Sequence, residues 1–447
     1  MPITIPPPAP PALVRAFADV SHETQTPIAF TQYTLPNGLR VILAPDPFAP
    51  VIATNVTYDV GSRNERPGRT GFAHLFEHMM FQGSEKVGKG EHILLTTSVG
   101  GTMNGTTNQD RTNFFEALPK NQLKLALFLE ADRMRSLDIS QANLDNQRAV
   151  VQEEKRQSYE NRPYGQIQEN LLSLAYSNFA YKHTTIGSMA DLDAATIKDV
   201  RDFFATYYAP NNAVLTVCGD FDPEQARALV SQYFGGIPQK PSPPAVDAAE
   251  PDRFALKDAR KTLQDRLARQ TRLEIAYVTV PGDDPDYYPL RVLGNILSGG
   301  RTTRLYKQLV ETNQTLNISA REGEGRGDSL FSVSGTIAHG GSAAMVEATI
   351  TAEIERVAES GVTSDELAQA ITRERVGLAG AYQNTLSRAT ALSWYAVAFH
   401  DPNRINTLPE RLAKVTAADV QRAARKYLTN NNRAVIVVEP DAQTVGN

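Results

Sequence analysis

The sequence repeats itself. Thr196–Val217 reads TIKDVRDFFATYYAPNNAVLTV and Thr416–Val437 reads TAADVQRAARKYLTNNNRAVIV, 220 residues further on and without a gap. Thr, Asp-Val, Tyr, Asn-Asn and a final Val coincide. Each copy predicts a helix opened by a Thr cap, closed by an Asn-rich turn and followed by an apolar strand. A solenoid repeats every 20–50 residues or so, and a period this long instead requires two similar domains. The 447 residues are enough for two cores of about 200 residues each.

The starts of the halves agree in kind. Asn37-Gly38 between the alternating runs YTLP and LRVILA predicts a hairpin. Val51–Val60 reads as a strand that leads into a helix. Thr271–Val280 reads as a strand, followed by a helix over Pro285–Leu297. Between the halves, the Pro-rich stretch Gly235–Asp252 holds few large apolar residues and marks a linker. The resulting expectation is an α+β fold of two similar domains, each a mostly antiparallel sheet packed with helices. Its boundaries are a Pro-rich arm over 1–27, a first domain over 28–234, a linker over 235–255 and a second domain over 256–447.

Composition removes several classes. With 45 basic against 50 acidic side chains the formal charge is −5, which argues against nucleic acid as a partner. No apolar run reaches the roughly 18–20 residues that span a bilayer, so no membrane span is expected. Cys218 is the single cysteine and reads as a small buried hydrophobe. Met1–Ala12, MPITIPPPAPPA, lacks the basic start and apolar stretch of a signal peptide. It reads as an extended arm, either a natural cytoplasmic start or the trimmed end of an exported chain.

The chemistry concentrates in His74-Leu75-Phe76-Glu77-His78. On a helix His74 and His78 share one face, one turn apart, with Glu77 beside them. Two imidazoles so placed can share a metal ion, and the adjacent carboxylate can hold a water. Phe72, Ala73, Leu75, Phe76, Met79, Met80 and Phe81 around them predict a helix buried on most sides, so this polar stripe needs partners, which a metal supplies. The order His-x-x-Glu-His is the inverzincin arrangement. A catalytic zinc site needs a third protein ligand and an open position. Glu153 and Glu154, in a helical stretch over Gln141–Tyr159, are the candidates. They lie about 100° apart on a helix. With Val150 and Val151 marking the buried side, geometry favours Glu154.

The stretch GSRNERPGRTGFAHLFEHMMFQGS (Gly61–Ser84) resembles the pitrilysin family of zinc peptidases, as do GGTMNGTTNQDRTNFFEALP (Gly100–Pro119), VVQEE, Ile186–Glu224 and LSGGRTTRLYKQL (Leu297–Leu309). Branches of that family include insulin-degrading enzyme, mitochondrial processing peptidase and smaller bacterial relatives. The resemblance implies a zinc endopeptidase in which His74, His78 and Glu154 are zinc ligands and Glu77 is the general base. It also implies that peptide adds as a strand beside Asn104, Gly105 and Thr106, with Phe81 lining the pocket next to the cleaved bond. The competing reading of these residues is plain structure: Phe81 as core and Asn104-Gly105 as a turn.

Two departures from the family pattern stand out. A Glu often found seven residues before the third ligand is here Gln147. An Arg and a Tyr, seven apart, usually contact substrate from the second half and help stabilise the oxyanion; here those positions hold Val310 and Asn317, and Arg304 and Tyr306 sit at the wrong spacing. The expectation is therefore a heterodimer with a related subunit that lacks zinc ligands and supplies the missing pair. The alternatives are a slow homodimer or monomer, and a non-catalytic scaffold subunit. Bacterial relatives of this kind point to the periplasm, with the cytoplasm as the alternative.

Overall fold

The computed structural model describes residues 26–247, 254 and 256–441. Residues 1–25 of the expected arm, and 248–253 and 255 of the expected linker, lie outside the described residues. The strands are β1 (Thr31–Thr34), β2 (Arg40–Pro45), β3 (Val51–Tyr58), β4 (Thr102–Thr107), β5 (Thr112–Pro119), β6 (Ala213–Gly219), β7 (Ala259–Asp265), β8 (Arg272–Val278), β9 (Thr315–Glu322), β10 (Leu330–Ile337) and β11 (Arg433–Pro440). The helices of the first half are α1 (Phe72–Met79), α2 (Glu91–Ser98), α3 (Leu123–Arg135), α4 (Gln141–Lys155), α5 (Ile167–Ala175), α6 (Phe179–Lys182), α7 (Met189–Asp193), α8 (Ile197–Tyr207) and α9 (Pro223–Phe234). Those of the second are α10 (Tyr287–Ser298), α11 (Ala343–Ser360), α12 (Ser364–Ala381), α13 (Thr385–Ala398), α14 (Arg404–Ala413) and α15 (Ala417–Tyr427).

The sheets run β1-β2-β6-β3-β5-β4 and β7-β11-β8-β10-β9. Apart from β1 they have the same order, so the repeat in sequence is a repeat in topology. Pairing is antiparallel except for β2 with β6 and β7 with β11. These parallel partners are far apart in sequence, as a crossover requires. The α+β class with mostly antiparallel sheets is therefore observed. The Thr caps of the repeated helices are in place as well. Thr196 and Thr416 each form a capping box, with Asp199 and Asp419 respectively.

All of β6 is buried, and alternation explains why it must be. Leu215 and Val217 point into the first core, whereas Val214 and Cys218 point to the opposite face with Ile42, Ala44 and Ala53. That second face is covered by α13, which comes from the other half. Asn55 Nδ2 donates to Thr390 Oγ1 at 3.1 Å, the Thr216 and Ser393 hydroxyls are 2.8 Å apart, and Arg40 Nη1 donates to the Ala396 carbonyl at 2.8 Å. The second sheet receives the same treatment in reverse. Leu171, Leu172 and Ala175 of α5 pack on Ala276, Val278, Ala434 and Ile436. Shifted by the repeat offset of 220 residues, α5 falls within α13. The halves thus exchange equivalent helices.

A second tie lies near the end of β3. Arg326 Nη1 reaches both oxygens of Asp59 at 2.7 and 2.8 Å, and its backbone N–H donates to Asp110 in the β4–β5 hairpin at 2.9 Å. Tyr181 donates to the other Asp110 oxygen at 2.7 Å. Leu392 in α13 is fully buried in the shared core. Leu392→Ala should therefore cost about 2–5 kcal/mol. Because α13 belongs to both halves, denaturation followed by far-UV circular dichroism and by fluorescence of Trp394, the single tryptophan, should shift as one transition. Two separated steps, only one of them moved, would show that the halves unfold independently.

Candidate metal centre

Helix α1 starts at Gly71, which has no side chain to cap it. The cap comes from Glu65 instead. Its two carboxylate oxygens accept the N–H groups of Gly71 at 2.9 Å and Ala73 at 2.8 Å, at the positive end of the helix. His183 Nε2 lies 3.0 Å from the same carboxylate. Phe72, Ala73, Leu75, Phe76 and Met79 are buried, and this fixes the rotation of the helix. The remaining stripe, His74 and His78, faces the end of α4. That helix is capped by Ser140 and carries Glu154 in its last turn. His74 Nε2 is 3.7 Å from Glu154 Oε1 and His78 Nε2 is 3.3 Å from Oε2. One donor atom from each residue lies within 4.8 Å of the other two.

Burial, and then the neighbouring His78, holds the pKa of His74 down to about 4. A hydrogen bond from His78 is the main reason that the Glu154 carboxyl titrates below its usual range. Neutral imidazole nitrogens and an ionised carboxylate are the ligand forms that zinc takes. The Nδ1 atom of His74 is buried without a hydrogen-bond partner, so in this arrangement the ring gains nothing from burial except its neighbours across the cluster. Glu154 remains 41% exposed, which leaves the trio accessible from one side. Two nitrogens and an oxygen with an open approach fit a catalytic rather than a closed structural zinc.

Glu77 is buried beside them. Burial raises its pKa, and a 2.6 Å hydrogen bond donated by Thr107 opposes that rise. Strand β4 passes unusually close to it. A Cβ on Gly105 would lie 2.9 Å from Glu77 Cγ and 3.1 Å from Oε1, so any larger residue there would push the Glu77 side chain aside. Arg111 sits behind, donating to the Thr106 carbonyl at 2.6 Å and to Asn113 Oδ1 at 2.8 Å. Burial pulls its pKa down to about 10.

The other residues singled out in sequence fall as follows. Asn104, Gly105 and Thr106 all lie in β4, the edge strand next to Glu77, so the reading of Asn104-Gly105 as a turn is overturned. Asn104 Oδ1 accepts the Gly105 N–H at 2.9 Å. Phe81 is half-buried, with Phe114 and His92 at its ring and the Arg133 guanidinium 5.3 Å from its centroid. It borders a cavity of about 470 Å³ together with Glu77, His78, Ile93, Met103 and Gln147. Glu153 is exposed and bonded to Arg156 and Gln157. Val150 is 42% exposed and does not mark the buried side. It stands one turn before Glu154, on the same open face of α4. Arg304 is engaged by both oxygens of Glu366 at 2.7 and 2.8 Å. Val310 is half-buried and Asn317 is exposed on β9.

Sequence reasoning missed Glu65, Thr107 and Arg111. Glu65 had a signal: a helix that opens on Gly must be capped from elsewhere, and an acid shortly upstream is a natural source. Among the described residues a second trio, His92, Glu116 and Glu130, also comes together. It is fully buried, with His92 Nε2 2.5 Å from Glu116, and Arg133 bonds Glu130 directly. A guanidinium already supplies the positive charge there, and no approach from solvent remains.

Residues 40–188 match the family described as insulinase (peptidase family M16), and residues 194–374 match the peptidase M16 inactive domain. A Helicobacter pylori relative named zinc protease PqqE is 26% identical over 417 residues, 91% of this chain and 92% of that protein. The mitochondrial-processing peptidase subunit beta of Lentinula edodes is 24% identical over 266 residues, 59% of this chain and 56% of that one. The crystal structure of a protease from H. pylori covers 92% of this chain and 99% of its own, with a TM-score of 0.87 at 24% identity, a likeness of fold. His74, Glu77, His78 and Glu154 all fall within the insulinase match and the second half falls largely within its companion, so this chain belongs to peptidase family M16.

Proposed function

We propose that the chain is the zinc-binding subunit of an endopeptidase, with His74, His78 and Glu154 holding the ion and Glu77 moving the proton. The observation that carries this reading is the convergence of those three donors beside a buried carboxylate and an open strand edge. When bound, zinc would polarise the scissile carbonyl and make a water easier to deprotonate. Glu77 takes the proton and returns it to the leaving amine. Its raised pKa suits both steps better than that of an ordinary carboxylate. The hydrogen bond from Thr107 aims one oxygen, and the contact with Gly105 limits where the carboxylate can go.

The peptide pairs with the free edge of β4, where its carbonyl replaces Asn104 Oδ1 on the Gly105 N–H. Backbone pairing tolerates varied sequences, and Phe81, Ile93 and Met103 favour an apolar side chain in the adjoining cavity. The second half offers no cation toward this site from the positions where the family carries its Arg and Tyr. Val310 and Asn317 cannot donate a charged hydrogen bond, and Arg304 is occupied by Glu366. A related subunit supplies that pair, so the working enzyme is a heterodimer.

Glu77→Gln should retain zinc while cleavage of a quenched peptide falls about 10²–10⁴-fold. Gly105→Ala should displace the Glu77 carboxylate and lower kcat about 10²-fold, with zinc content and circular dichroism unchanged. Cleavage should be slow with this chain alone, rise when a family member bearing the Arg-Tyr pair is added, and stop with chelator. A folded chain that takes up no zinc, or that shows no chelator-sensitive cleavage with such a partner, would point to a scaffold subunit instead.

A further inference from the structure

The topological repeat allows the first-half centre to be located in the second half, residue by residue. Gly105 pairs with Phe114, Phe114 with Val56 and Val56 with Leu215. In the second sheet Ala320 pairs with Val333, Val333 with Ile275 and Ile275 with Val435. Leu215 and Val435 are separated by the repeat offset of 220 residues, so Ala320 of β9 stands where Gly105 stands in β4. The helix after the third of these strands is α1 in one half and α10 in the other. Residues 72–81 and 289–298 show one and the same sequence of buried and half-buried positions. That alignment sets Arg291 on His74, Gly294 on Glu77 and Asn295 on His78. The offset of 220 sets Glu374 on Glu154.

Arg291, Asn295 and Glu374 are in contact, as their counterparts His74, His78 and Glu154 are. Arg291 Nε donates to Glu374 Oε2 at 2.7 Å and Asn295 Nδ2 donates to Oε1 at 2.9 Å. Asn295 is held from behind by Arg373, whose Nε donates to its Oδ1 at 2.7 Å. Arg291 Nη1 also donates to the Tyr287 hydroxyl at 2.9 Å. The helical pair one turn apart and the carboxylate from the long helix are preserved, and the charge between them comes from a guanidinium. Beside it the roles of helix and strand are reversed. In the first half the strand carries glycine and the helix carries the carboxylate. In the second the helix carries Gly294, where a Cβ would lie 2.9 Å from the Ala320 carbonyl oxygen. A side chain at position 294 would run into β9, so the place that Glu77 holds in the first half has no general base here.

We propose that the second half retains a silenced copy of the metal centre, in which the Arg291 guanidinium occupies the place of the ion and joins α10 to α12 as a built-in cation. The proposal takes the first-half trio as the metal centre. It has two consequences. The chain binds one catalytic metal and not two. The tie between helix and helix, which depends on a dissociable ion in the first half, is permanent in the second, because Arg stays protonated at any pH the fold survives.

The test is metal stoichiometry. Full-length chain is incubated with zinc, freed of excess and assayed by elemental analysis. Arg291→His with Asn295→His restores two imidazoles opposite Glu374 and should raise the content by one zinc per chain. Adding Glu374→Ala should remove that gain. The same pair of substitutions in a His74→Ala, His78→Ala background should bring the content from none to one. This arm reads the second-half site even if the wild-type chain proves to hold no zinc, an outcome that would sink the proposed function alone. A folded double variant with unchanged zinc content overturns the inference. Should that variant fail to fold, the converse graft decides: His74→Arg with His78→Asn should melt above the zinc-stripped wild type and ignore chelator, and melting at or below it would overturn the proposal.

Discussion

Everything in this molecule rests on the exchange of one helix between two sheets. Each sheet is apolar on both faces in its central strands, and each half covers only one face from its own residues. The second face of the first sheet is buried by α13, and the equivalent face of the second sheet by α5. At about 25 cal/mol per Å² of apolar surface, leaving either face in water would forfeit a large part of a net stability that is itself only about 5–15 kcal/mol. The polar contacts across the junction, such as Thr216 with Ser393, add direction to what apolar burial drives. The loop that carries Arg326 then fixes the hairpin bearing Thr107 and Arg111 relative to the opposite half.

Buried charge is the second constraint, and the chain meets it in three ways. Glu130 is neutralised by Arg133. Glu374 is neutralised by Arg291. Glu154 meets two imidazoles, and burial together with the neighbouring His78 keeps that of His74 from carrying charge readily. Of these three carboxylates only Glu154 lacks a fixed cation. It is also the one most open to solvent, at 41% against 0% and 13%. An ion that must enter and hold substrate needs that opening, whereas a guanidinium does not. On the proposed reading, the metal centre of the first half and the ion pair of the second differ in the source of the positive charge, while the helices that carry them occupy equivalent places.

Much of this was legible in the sequence, for physical reasons that differ from element to element. The 220-residue repeat gave the two-fold organisation because caps, turns and apolar runs recur together, and each is a local signal. The His-x-x-Glu-His face was legible because helical geometry relates residues 74, 77 and 78 without knowledge of the rest of the fold. The apolar run Val214–Cys218 disclosed a strand with a buried Cys218, but nothing local could say that its second face is covered by α13. Val150 misled because an apolar residue beside an open cleft looks, in sequence, like an apolar residue in a core. Asn104-Gly105 resembles a turn, and its extended conformation is imposed by β5 and by the proximity of Glu77. Arg291 falls within the helix expected over Pro285–Leu297, but its meaning lies in Glu374, 83 residues away, which no local pattern discloses.

The helix exchange also defines what can count as a complete folding unit. A polypeptide ending at the linker would present one side of its sheet bare and carry a helix, α5, with no surface to lie on. Two such fragments could cure each other's deficiency by trading helices, as the halves of this chain do internally. The smallest self-sufficient body built on this architecture is therefore a pair, whether its members are joined by a peptide bond or not.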